Sequence, residues 1–322
     1  MSTGGADAGG GLAEAGAGLD ADSRDGGAPI DTGAGPEDAT ARTDDAGPES
    51  PGTDCFGVRN IYATAAGGRQ WCLPDMPAEA DDEWEPDDDF SATSEPGVLH
   101  SAGSPRHSVG SPEGRAWWRN IEMSVYVRWI DGADDEFTLY ARGERHTDGL
   151  VDPDDINEGI AAPDGTATWP GYPFGAPVPH PCLGTAYKGS VATDGSAFYK
   201  KEISHTAGYT SSAGEVRVFE GGLPSGEWIG IKFVIRNIEG DTAVRLETWI
   251  DRDASDTWEM VTSYEDRGGW EGSPADDGCD DAPLEYTDDQ ILTWAGPIAV
   301  LRADDQQFDF RWFSIREIAP GG

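Results

Sequence analysis

Lysine is almost missing from this chain. Four lysines stand among 322 residues, and with the arginines they bring the cations to 22 against 61 Asp plus Glu, a formal net charge of -39. Neutralising a nucleic acid backbone takes a face rich in Lys and Arg, so this deficit excludes nucleic acid as a partner and disfavours anionic membranes. No run of about 18 apolar residues occurs, so no stretch reads as a transmembrane segment. The opening MSTGGADAGG lacks the basic start and apolar core of a secretory signal. That leaves a cytosolic protein, or a secreted or envelope protein whose signal lies upstream.

The chemistry of several enzyme classes is absent as well. None of the four cysteines forms a CxxC or Cys/His spacing suited to zinc. No GxSxG elbow supports a serine esterase. No ExDxxE strand supplies the carboxylate pair of a retaining glycosidase, since Glu215, Glu220 and Glu247 stand alone. An even number of cysteines beside Gly, Pro and Asp points instead to disulfides and an oxidising compartment. Three pairings can be drawn; the expected one joins Cys55 to Cys72 and Cys182 to Cys279.

Residues 1–53 are Gly, Ala, Asp, Ser, Thr and Pro with hardly an apolar side chain, a composition that cannot offset the entropy of ordering and reads as a disordered acidic linker. All 12 tryptophans come later, so the folded domain is expected over 54–318. The acidic, Pro-rich residues 80–97 read as an exposed loop or meander within it. Elsewhere the period is two: in IEMSVYVRW, Ile121, Met123, Val125, Val127 and Trp129 alternate with Glu122, Ser124, Tyr126 and Arg128. EFTLYAR, EVRVFEG, WIGIKFVIRNI, AVRLETWI, ILTWAGPIAVL and FDFRWFSIREI continue it between turns such as EGD and RDASD. No helical periodicity interrupts them, which predicts an all-β antiparallel sandwich or jelly roll.

GEWIGIKFVIRNIEGDTAVRLETWIDRD resembles the consecutive strand pair of the concanavalin A-like β-jelly-roll proteins, and FDFRWFSIREI resembles their closing strand. FGVRNIY, RNIEMSVYV, LYARGERH, GTAYKG, KKEISHTAGY and GGW are similar to secreted microbial proteins of that architecture. The family holds both lectin-like binders and polysaccharide lyases. The resemblance therefore implies an extracellular polysaccharide-binding domain that cleaves a uronate polymer by β-elimination, or a non-catalytic carbohydrate-binding or adhesion domain. The QIH and RTELR strands of the best-known lyases are absent. The expected partner is an anionic or neutral polysaccharide, and the expected state a monomer.

Elimination needs a cation on the substrate carboxylate, a base for the α-proton and an acid for the leaving oxygen. Candidates lie between YARGERH and HTAGY: Arg142 and Lys201 as carboxylate binders, His205 or His146 as base, Tyr187 or Tyr209 as acid, with Arg145, Lys188 and Glu202 beside them. In a strand from Phe198 to Ile203, Lys200 and Glu202 face one side and Lys201 the other, so one of those two lysines should line the site. The structural alternative is that these cations pair with neighbouring acids such as Glu144 and Glu202. Trp270 and Trp169 are the loop tryptophans best placed to stack on sugar. Asp251, Asp253 and Asp256 resemble part of a calcium loop but lack its Gly and its final Glu, and a tight Asp-rich hairpin, the favoured reading, explains the same residues without metal. No cofactor is required; structural Ca2+ is the ion this loop would take.

Overall fold

The computed structural model describes residues 51–74, 83–86, 90–110, 118–132, 135–143, 186–204, 208–270, 291–296 and 298–321. Sixteen strands run through them: β1 (Gln70–Cys72), β2 (Trp84–Glu85), β3 (Phe90–Ala92), β4 (Leu99–Gly103), β5 (Arg106–Val109), β6 (Ile121–Gly132), β7 (Glu136–Gly143) and β8 (Ala186–Ala192); then β9 (Ser196–Ser204), β10 (Gly208–Tyr209), β11 (Ala213–Arg217), β12 (Trp228–Ile238), β13 (Ala243–Asp251), β14 (Glu259–Asp266), β15 (Ile298–Ala303) and β16 (Gln306–Glu317). Two eight-stranded sheets result, and neighbouring strands pair antiparallel. The first sheet has the order β14-β13-β12-β6-β16-β4-β3, with β1 also on β16. The second has β10-β9-β8-β7-β15-β5-β2, with β11 also on β9. The all-β sandwich expected from the alternation is the observed fold.

The core lies between the sheets, built from the odd-numbered apolar residues of β6 and their partners on the facing strands. Tyr199 of the second sheet stacks on Phe233 of the first at 6.0 Å, and Phe137 meets Phe308 edge-on at 5.0 Å. Each such ring, taken fully out of water, contributes roughly 1.5–3 kcal/mol. Gly189 of β8 permits one of the closest approaches between the sheets, because a Cβ there would lie 2.5 Å from the Phe233 ring. The β8–β9 turn needs Gly195 for a different reason: its φ is +93° and a side chain would strike the Phe219 carbonyl.

Within the stretch expected as an exposed loop or meander, the described residues 83–86 and 90–97 include two short strands. Trp84 is buried and stacks on Trp71 at 5.6 Å, because β2 and β3 fasten this acidic stretch to the edges of the two sheets.

Residues 51–64 cross the outer face of the first sheet as a strap. Glu122 of β6 accepts hydrogen bonds from the backbone N–H groups of Ile61 and Tyr62, and Glu247 of β13 accepts one from the Tyr62 hydroxyl at 2.8 Å. Asp256 takes the Arg59 N–H, and the Ser314 hydroxyl donates to Asp54. The Cys55–Cys72 disulfide ties the strap to β1, as expected from the sequence. Glu122 also pairs with Lys232 and Arg316 at 3.0 and 2.7 Å, so this buried carboxylate is fully engaged.

Candidate functional site

Strand alternation sorts the expected site residues onto opposite faces of the second sheet. On β8, Tyr187, Gly189 and Val191 turn to the core, while Lys188 and Ser190 turn outward. On β9, Lys201 turns to the core and Lys200 and Glu202 outward, the division expected from the sequence. The outer set meets Tyr140 of β7 and Tyr209 of β10. Lys188 and Glu202 form an ion pair at 2.7 Å with both side chains buried, and the Lys188 ammonium donates to the Tyr209 hydroxyl at 3.0 Å. Lys188 also lies 4.2 Å from the Tyr209 ring centre and 5.0 Å from that of Tyr140.

Around this pair the other charges are matched as well. Lys200 reaches Glu136 at 3.4 Å, and Glu136 accepts from the Ser190 hydroxyl. Arg302 of β15 pairs with Asp304. Burial pulls the Lys188 ammonium below its ordinary pKa, opposed by the Glu202 carboxylate. Burial also lowers Arg302, but Asp304 and the Tyr209 phenol outweigh it and hold that guanidinium above its ordinary value. Tyr209 itself is 37% exposed, the tyrosine among the described residues that most faces solvent.

The core-facing set is a separate cluster. Lys201 pairs with Asp266 of β14 at 2.9 Å with both side chains fully buried, and the Tyr187 hydroxyl donates to the same carboxylate at 2.6 Å. Burial, then Asp266, push the Tyr187 phenol well above its ordinary pKa. Trp270 is buried here too: it tilts against Tyr264 at 4.5 Å, and its indole N–H donates to the Ser211 carbonyl. Arg142 is fully buried at a left-handed φ of 67°, where β7 and β15 slip register. Its guanidinium donates to the carbonyls of Arg119 and Leu292, and burial lowers its pKa to about 9.

His205, His146, Arg145, Trp169, Cys182 and Cys279 lie outside the described residues. Asp251 and Asp256 sit in the β13–β14 hairpin. The Asp251 carboxylate accepts from the Tyr126 hydroxyl and the Asp256 N–H, and Asp256 accepts from the Trp258 indole. Hydrogen bonding by Ser255 lowers the Asp253 pKa. Among the described residues no three His, Cys, Asp or Glu side chains stand close enough together to hold a metal ion, and no helix is long and apolar enough to cross a membrane.

Sequence reasoning missed an array on the outer face of the first sheet. Trp228 of β12 stands opposite Arg128 of β6, whose guanidinium lies 4.6 Å from its ring centre. Arg311 of β16 lies 4.3 Å from Trp228 and 4.1 Å from Trp312. Arg128 donates twice to Asp309, at 3.0 and 2.7 Å, and His100 Nδ1 lies 2.9 Å from the other oxygen of that carboxylate. These residues come from strands far apart in the chain, so only the sheet order brings them together.

No protein-family model and no curated protein matches this chain. Among solved structures, its sandwich is similar to a Bacillus subtilis protein of unknown function with a galectin-like fold, at 13% identity over 81% of this chain and 100% of that one, TM-score 0.42. It is also similar to winged bean acidic lectin in complex with methyl-α-D-galactose, at 9% identity over 77% and 97%, TM-score 0.41. A third likeness is carbohydrate-binding module CBM66 from Bacillus subtilis, at 9% identity over 73% and 96%, TM-score 0.38.

Proposed function

We propose that the domain binds carbohydrate on the outer face of its second sheet, around Tyr209. The observation that carries this reading is the surround of that ring: an exposed phenol with Lys188 against it, rimmed by Lys200–Glu136 and Arg302–Asp304. An aromatic surface with a few fixed donors and acceptors suits a sugar, whose C–H face is apolar and whose hydroxyls both donate and accept. An extracellular setting fits the Cys55–Cys72 disulfide. A panel of neutral and uronate-containing glycans tests the reading. Wild type should bind at least one class and Tyr209→Ala should lose it; equal binding by the variant, or no glycan bound by wild type, overturns it.

The hydrogen bond from Lys188 to the Tyr209 hydroxyl supports a second reading, cleavage of a uronate polymer by β-elimination, because a nearby cation eases proton transfer through a phenol. Incubation with alginate, glucuronan and pectate-type polymers should then raise absorbance near about 232 nm, where the conjugated product of such acid–base elimination absorbs. A flat trace on every polymer leaves the binding reading alone.

A further inference from the structure

Arg311 lies against two indoles. Its guanidinium lies close to the rings of both Trp228 and Trp312, and its buried Nε has no hydrogen-bond partner among the described residues. Glu95, the acid paired with it, stands 3.7 Å away, half-exposed and nearer to Arg128 at 3.2 Å. Asp309 is taken up by Arg128 and His100. Guanidinium donors normally find carboxylates, and a chain with 61 acids has no shortage of them.

The backbone is arranged to produce this geometry. Trp312 has a φ of 54°, a left-handed conformation that bulky residues rarely adopt, and the ladder between β16 and β6 slips between Arg311 and Ser314. The bulge places Arg311 and Trp312 side by side on the outer face, a local strain retained where the chain has a use for it. Burial draws the Arg311 pKa below its ordinary value, opposed by the Glu95 carboxylate.

We propose that Arg311 is the centre of a second ligand site, on the outer face of the first sheet, which takes an oxyanion carried on a sugar: a carboxylate or a sulfate ester. The indoles fix the guanidinium so that little side-chain entropy is lost when an anion meets its fork, and they offer apolar edges to the sugar ring. Glu95 is the internal competitor, which a ligand carboxylate or sulfate would displace toward solvent.

The test is NMR of the full chain titrated with galacturonate, galactose 6-sulfate and galactose. The acidic sugars should move the Arg311 Nε–H resonance and the indole N–H resonances of Trp228 and Trp312, and galactose should not; the relative response separates carboxylate from sulfate. Arg311→Gln and Arg311→Lys should weaken binding by about tenfold or more, because the charge-assisted fork is lost in both. Glu95→Gln should tighten it. Equal responses to galactose, or no response of these three resonances in wild type, overturn the proposal without use of any variant. The site stands apart from Tyr209, so glycan binding and anion binding can fail separately.

Discussion

Two cations, one on the outer face of each sheet, differ in what answers their charge. On the second sheet Lys188 is fully buried and answered by a buried carboxylate, Glu202. On the first sheet Arg311 is partly exposed and answered by two indoles. Burial explains the difference. A charge removed from water must have a counter-charge or cost several kcal/mol, whereas a charge left at the surface can rest on aromatic faces and keep its donors for something else. Lys188 and Arg311 illustrate the two cases, a close buried carboxylate for the one and a distant half-exposed carboxylate for the other.

The sharpest way to break the comparison is to delete one cation from each face. Lys188→Met should cost about 3–5 kcal/mol in urea denaturation, since Glu202 is left buried without its partner. Arg311→Met should cost no more than about 1 kcal/mol. Equal losses would mean that both cations are structural. Next in size, Cys55→Ser with Cys72→Ser should remove about 3 kcal/mol for a loop of this length, the two cysteines being 17 residues apart. Hydrogen exchange should then rise first at the Ile61 and Tyr62 amides of the strap, and protection unchanged there would show that the carboxylate clamps suffice.

The smallest effect concerns pH. Burial, then the hydrogen bond to Glu247 and its charge, raise the Tyr62 phenol from 10.0 to about 12. A phenol whose folded pKa is raised favours the folded state while protonated, so this stabilisation is present below pH 10 and is lost as pH climbs toward about 12. Tyr62→Phe should remove that alkaline slope at a cost of about 1 kcal/mol at neutral pH. A spectrophotometric titration with no tyrosine ionising late would contradict the strap geometry.

Much of the fold was legible because the alternation is strict. Ile121 to Trp129 gave β6 its buried side, and the opposite facing of Lys200 and Lys201 followed from period two alone. The site was harder. Alternation says that Lys201 and Glu202 part, but not which of them faces the other sheet; that depends on Gly189 admitting Phe233 and on Asp266 arriving from β14. Tyr187 and Arg142 looked like surface chemistry for the same reason, yet they belong to the closed interior. The Trp228–Arg311–Trp312 array was out of reach because β12 and β16 are not neighbours: β6 lies between them.

One sign of that array was nevertheless written in β16. In FDFRWFSI the core-facing residues are Phe308 and Phe310, then Phe313 and Ile315, so the parity of the buried positions changes from even to odd within a single strand. A continuous ladder cannot accommodate such a phase change; one added residue must be absorbed, and Trp312 is where this happens. Removing that residue would restore strict alternation, with Phe313 and Ile315 still on the core side and Ser314 still opposite Ser124, and would cost only the bulge that sets Trp312 beside Arg311. The register of the sandwich therefore does not need the inserted residue, whereas the placing of Arg311 against two indoles does.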